Sequence, residues 1–120
     1  MKIYGFFILL LSLTFNAQAE TQQNCIEMQQ PQLIRQLENW SIIADNKTEI
    51  STAPNFSGPL LTYSLTSKPT QAENTITINP SNGQISIDAQ KRDNFDVTVT
   101  ATNGCGNVSS TFNIQIDEEE

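Results

Sequence analysis

Residues 33–117 predict an all-β fold, a Greek-key β-sandwich of about seven short strands. Three observations carry that expectation. Apolar and polar residues alternate with period two in segment after segment. Turn chemistry recurs at intervals of about a dozen residues. No stretch sustains a long helical period in a chain rich in Thr, Ser, Asn and Gln.

Taken in order, the first element is the least decided. In "PQLIRQLENWSII" the apolar residues Leu33, Ile34, Leu37, Trp40 and Ile43 also fit a short amphipathic helix. The β-prone run Trp40-Ser41-Ile42-Ile43 and the flanking strands favour an edge strand or a split first strand. "KTEISTA" around Ile50 is a weaker strand, and "SGP" at Ser57–Pro59 marks a loop. "LLTYSLT" alternates Leu61, Tyr63 and Leu65. "ITINPSNGQISI" is a hairpin, with Ile76 and Ile78 on one arm and Ile85 and Ile87 on the other. Pro80 presets φ for its turn and Asn82-Gly83 is a strong turn pair. In "FDVTVTAT" Phe95, Val97, Val99 and Ala101 share a face; in "VSSTFNIQI" Phe112, Ile114 and Ile116 do. "ATNGCGN" joins these last two strands, its two glycines permitting positive φ in a tight connection.

The ends read differently. Residues 1–19 have the form of a secretory signal: Lys2, the apolar run Phe6–Leu13, and a small-x-small "AQA" that places cleavage between Ala19 and Glu20. Residues 20–32 form an N-terminal arm, and 118–120 an acidic tail. Cleavage leaves 101 residues, one domain's worth, and moves the net charge from −7 to −8. An acidic chain without a basic patch excludes nucleic acid as a natural partner, and no second apolar segment calls for membrane insertion after cleavage. The expected location is secreted, periplasmic or cell-surface.

The second half of the chain resembles the cadherin-like, immunoglobulin-like domains of bacterial surface and secreted proteins, related to the dystroglycan-type cadherin-like domain. The residues that carry the resemblance are Leu61–Leu65, Asn79–Ile87, Phe95–Asn103 and Phe112–Ile116. It implies an Ig/cadherin-like sandwich and a non-catalytic binding or adhesion module with a protein or glycan partner. It also implies calcium binding. A hard cation takes six to eight oxygens, yet "APNFSGPL" holds no carboxylate, "AQKRD" stands for an acidic segment, and Asn103 stands near an expected Asp. Asp117 and Glu118 remain the weak metal candidates. Alternative readings are a structural or assembly subunit of a surface polymer, or a calcium-binding cadherin-like domain.

Catalytic chemistry has little to build on. The chain lacks histidine, which excludes imidazole bases, triads and His-ligated zinc. It has no nucleophile elbow, P-loop or dinucleotide fingerprint. Asp88, Asp93 and Asp96 are the nearest approach to a carboxylate cluster and, with Lys91 and Arg92 among them, read as a solvated, mixed-charge turn. The expectation is a protein that is not an enzyme and carries no cofactor. Trp40 and Tyr63 are candidate binding aromatics, though a lone Trp in a small sandwich reads first as a core plug. Sequons at Asn39, Asn46, Asn55 and Asn107 read as chance in an Asn/Ser/Thr-rich chain.

Two cysteines remain after cleavage, Cys25 and Cys105, and an even pair in an oxidising compartment is most simply one disulfide. In a seven-stranded sandwich the start of the first strand and the hairpin joining the last two lie at one pole. That places Cys25 within reach of Cys105.

Overall fold

The computed structural model describes residues 25–119. The signal segment 1–19, its cleavage between Ala19 and Glu20, the start of the arm at 20–24 and the last residue of the tail lie outside the described residues.

Nine extended segments follow one another: β1 (Gln32–Leu33), β2 (Trp40–Ile43), β3 (Asn46–Ser51), β4 (Phe56–Ser57), β5 (Thr62–Ser67), β6 (Thr75–Ile78), β7 (Gln84–Ala89), β8 (Asp93–Asn103) and β9 (Gly106–Asp117). Seven of them build the sandwich. One sheet has the order β2-β9-β8-β5 and the other β3-β7-β6, while β1 and β4 form a separate two-stranded ribbon. Neighbouring strands are antiparallel except β2, which runs parallel to β9 with Trp40 opposite Ile114. This is an Ig-like Greek-key β-sandwich.

Alternation of side chains explains why two sheets face each other. Val97, Val99, Ala101, Ile114, Ile116, Ile85 and Ala89 are fully buried, and Ile50, Tyr63, Ile87, Phe95 and Phe112 nearly so. Each large apolar side chain buried this way stabilises the fold by about 1.5–3 kcal/mol. The long hairpin β8–β9 is the spine, paired without a break from Gly106 opposite Asn103 to Ile116 opposite Asp93. On its solvent face hydroxyls pair across the strands, Thr98 with Thr111 at 2.8 Å and Thr100 with Ser109 at 2.7 Å.

The first strand is split, for a reason that lies in its neighbours. Ile34 N–H donates to Asn55 O at 2.8 Å, and the Asn55 amide donates to the carbonyls of Arg35 and Gln36. One turn later the buried Ser110 hydroxyl accepts from Leu37 N–H at 3.0 Å. The chain is thereby handed from the β4 side of the molecule to β9.

Three readings need correction. Trp40 is not a core plug: it stands on the edge strand β2, 38 % exposed, where no further strand covers it among the described residues, and Tyr63 fills the interior instead. Of the two glycines in "NGCGN", Gly106 takes a positive φ, +147°, and Gly104 does not. Asp93 is not a solvated turn residue; it is buried.

Gly83 is the glycine the fold needs. Its φ is +73°, and a Cβ there would lie 2.8 Å from Thr52 Oγ1 and 3.2 Å from the Tyr63 ring. Thr52 is fully buried and anchors the β6–β7 turn by donating its hydroxyl to Gly83 O at 2.6 Å. Gly83→Ala therefore combines left-handed strain with overpacking and is expected to cost about 2–3 kcal/mol in urea denaturation. Gly104→Ala, where a Cβ meets nothing within 4 Å, is expected to be within about 0.5 kcal/mol of wild type.

Candidate functional site

Ile34, Trp40 and Ile43 are exposed along the first strand, while the three most exposed apolar side chains outside residues 32–43 lie on segments that meet at one pole. Four segments meet there: the arm 25–31, the β3–β5 connection, the β6–β7 turn and the tip of β8–β9. Cys25 and Cys105 are joined, with Cα atoms 5.7 Å apart. Next to the bridge, the Asn103 amide donates to Gln29 O at 2.8 Å and to Pro59 O at 2.9 Å, while its oxygen accepts from Cys105 N–H at 2.8 Å. One side chain thus ties the arm, the β4–β5 loop and the hairpin tip together. A single 3₁₀ turn, Glu27–Gln29, follows the cysteine, and the Gln29 side chain closes it by accepting from Ile26 N–H at 3.0 Å.

On this framework apolar side chains face solvent. Leu60 is 91 % exposed, Met28 80 % and Ile26 58 %. Leu60 is also one of two described non-glycine residues with positive φ, at +55°. A left-handed leucine costs on the order of 1 kcal/mol and is retained where its surroundings impose it. A cleft of about 230 Å³ lies between Leu60, Pro59, Gln29 and the hairpin tip Asn103–Cys105. None of Ile26, Met28 and Leu60 was anticipated as a site residue. The signal for Leu60 was nevertheless present: Leu61, Tyr63 and Leu65 hold the inward phase, which leaves Leu60 out of phase and outside.

The opposite pole holds Asp93, Asp117 and Glu118. Asp93, at the start of β8, accepts from Thr70 N–H at 3.0 Å, Thr70 Oγ1 at 2.6 Å, Gln71 N–H at 3.1 Å, Asn74 Nδ2 at 3.0 Å and Asn94 N–H at 2.8 Å. Burial works against its ionisation, but these donors outweigh burial and hold the carboxyl below its ordinary value. Asn74 extends the lock by accepting from the N–H groups of Gln90 and Lys91. Asp88 and Asp96 do not join it: Asp88 accepts from Gln90, and Asp96 from Asn113 on the outer face. The three aspartates are therefore not brought together. Asp117 and Glu118 both meet Arg92: its guanidinium lies 3.7 Å from Asp117, and its backbone N–H donates to the Glu118 carboxylate at 3.5 Å. Among the described residues no three His, Cys, Asp or Glu side chains converge as metal ligands. Of the sequons, Asn55 is buried with its amide engaged, so a glycan there is incompatible with the fold.

Comparison with known proteins bears on the fold. No family model matches the chain, and no curated protein matches it. Among solved structures, it is similar to two candidate alpha-galactosidases of Bacteroides fragilis. The first has TM-score 0.57 and 14 % identity over 77 % of this chain and 19 % of the other. The second has TM-score 0.59 and 14 % identity over 72 % and 17 %. The chain thus spans less than a fifth of either. It is also similar to a chain of the titin M10–obscurin-like 1 Ig complex, with TM-score 0.53 and 11 % identity over 76 % of this chain and 97 % of that one. At such identities the likeness concerns the fold, and it is Ig-like. The disulfide is consistent with an extracellular location. No described helix is long and apolar enough to cross a membrane.

Proposed function

We propose that this chain is a secreted, periplasmic or cell-surface binding module that docks a protein partner through its clasped pole. The observation that carries the reading is the set of exposed apolar side chains, Leu60, Met28 and Ile26, held by a disulfide and by the Asn103 bracket. Apolar anchors presented on a preorganised frame lose little entropy on binding, and such anchors carry most of an interface's affinity. An apolar anchor set favours a protein surface over a glycan, which is met with planar aromatic and polar groups. A sandwich that overlays less than a fifth of a candidate alpha-galactosidase also suits a module serving a larger enzyme or assembly.

The test is capture of partners from the native extracellular or periplasmic fraction by the exported protein, followed by titration against the captured protein. Leu60→Asp and Met28→Asp are expected to weaken binding at least about tenfold each, since a well-buried apolar anchor is worth about 1.5–3 kcal/mol. Their thermal midpoints should match wild type because both side chains project into solvent. If both variants bind as wild type does, the pole is not the docking face.

A further inference from the structure

The sheet β3-β7-β6 is one strand short. The Ig framework sets a first strand beside the second to make a four-stranded sheet. Here the first strand is diverted: β1 pairs with β4, and β2 pairs with β9. Among the described residues the outer edge of β3, six residues from Asn46 to Ser51, carries no neighbouring strand. A groove of about 390 Å³ runs along it, with Glu49, Ile50 and Ser51 on one wall and Glu38 and the exposed Trp40 on the other.

The hydrogen-bond phase of that edge can be read. Thr52 N–H donates to Gly83 O at 3.2 Å, and the β3–β7 register keeps Ile50 opposite Ile85 and Thr48 opposite Ile87. Bonded pairs alternate in an antiparallel ladder. Even-numbered residues of β3 therefore face β7, and the backbone groups of Lys47, Glu49 and Ser51 face outward. Their side chains are all exposed on the outer face of the sheet.

We infer that this edge pairs with the same edge of a second copy, antiparallel about Thr48. In that register Lys47 stands opposite Glu49 of the second copy, and Glu49 opposite its Lys47. Both pairs fall on outward-facing residues, so each makes two backbone hydrogen bonds as well as an opposite-charge contact. A shift of one residue breaks the bonding phase. A shift of the centre to Lys47 or Glu49 sets like charges directly opposite each other. Edge charges commonly prevent strand addition, but a strand reading Lys-Thr-Glu is complementary to its own reverse. Of the in-phase registers within β3, the one about Thr48 alone makes opposite-charge pairs; a centre at Ile50 sets Glu49 opposite Ser51 and gains none. The neighbouring free edges do not share this property: β5 (Thr62–Ser67) and β6 (Thr75–Ile78) contain no charge to set one.

The product is a closed two-fold dimer with a continuous six-stranded sheet, β6-β7-β3-β3-β7-β6. It covers Trp40 and leaves the clasped poles free. Because β3 runs toward the pole and the pairing is antiparallel, the two poles point in opposite directions. A dimer of this kind links two partner molecules rather than gripping one surface twice.

Sedimentation velocity over a concentration series of the exported protein tests this with charge reversals. Wild type is expected to show a monomer–dimer equilibrium. Lys47→Glu and Glu49→Lys are each expected to weaken association at least about tenfold, since each variant opposes like charges at both pairs. An equimolar mixture of the two variants restores complementarity and should dimerise, as should the double variant K47E/E49K. Circular dichroism melts establish that each variant is folded, as these exposed positions should permit. The inference is overturned if wild type remains monomeric to about 1 mM, if the single variants associate as wild type does, or if the mixture fails to pair.

Discussion

Replacing Asp93 by alanine is expected to destabilise the protein by about 3–4 kcal/mol, the range for losing a buried, hydrogen-bonded charge. The size follows from the number of donors left behind. Thr70 N–H, Thr70 Oγ1, Gln71 N–H, Asn74 Nδ2 and Asn94 N–H all converge on one buried carboxylate. An unsatisfied donor is more expensive than a weak bond, and water reaches this site poorly because Asp93 and Asn74 are 6 % and 5 % exposed. The loss should extend along the chain, because the lock pins the 70–74 loop to the start of β8 and, through Asn74, to Gln90 and Lys91. Faster amide exchange in both segments is the local signature.

The same residue sets an acid limit. The folded carboxyl titrates below its ordinary value, so the folded state binds fewer protons there than the unfolded one. Its contribution is complete above the ordinary carboxylate range and is lost as pH falls from that range through the depressed value. Wild type should therefore lose stability steeply below about pH 4. Asp93→Asn keeps one acceptor but turns an amide toward the donors; it should be less stable at pH 7 and lose that steep acid dependence. A wild-type slope unchanged in the Asn variant would assign the acid limit to other carboxylates.

Legibility in the sequence followed the range of the interactions involved. Alternation is a local property, and the burial of Phe95, Val97, Val99, Ala101, Phe112, Ile114 and Ile116 was visible in it. So was the β6–β7 turn, because Asn79, Asn82 and Gly83 act within a few residues of one another. Asp93 was misread because all its donors but Asn94 lie about twenty residues upstream, and "KRDNFD" taken alone looks like any charged turn. Trp40 was misread for a similar reason. Its inward phase on β2 is correct, since Ile42 two residues on is buried, but no strand among the described residues covers it. Burial of an edge residue is decided by what lies beyond the edge, and a period-two pattern does not contain that. The apolar pole was missed because Met28 and Leu60 belong to no strand, and the segments that carry them are tied to one another only through the distant Asn103, which bonds Gln29 and Pro59.

Removing the disulfide, by reduction or by Cys25→Ser with Cys105→Ser, is expected to cost about 4–4.5 kcal/mol in the chain-entropy model of loop closure. The bridge spans 80 residues, so it restrains nearly all of the described chain in the unfolded state. Stability should fall with little change in the folded core, because the two cysteines sit half-exposed at the pole and belong to neither the buried core nor the residues packed against it. Function should respond differently from stability. The Asn103 bracket keeps three hydrogen bonds to the arm, the β4–β5 loop and the tip after reduction, but exposed bonds of this kind contribute only about 0.5–1.5 kcal/mol each. The arm carrying Ile26 and Met28 should therefore loosen while Leu60 keeps its place. Equilibrium unfolding with and without reductant measures the first effect. A partner titration measures the second: the Cys25→Ser/Cys105→Ser variant should lose about as much affinity as Met28→Asp, and adding Met28→Asp to it should weaken binding little further, because both act through the same contact. Full additivity of the two changes would separate the clasp from the docking face and confine the disulfide to a stabilising role.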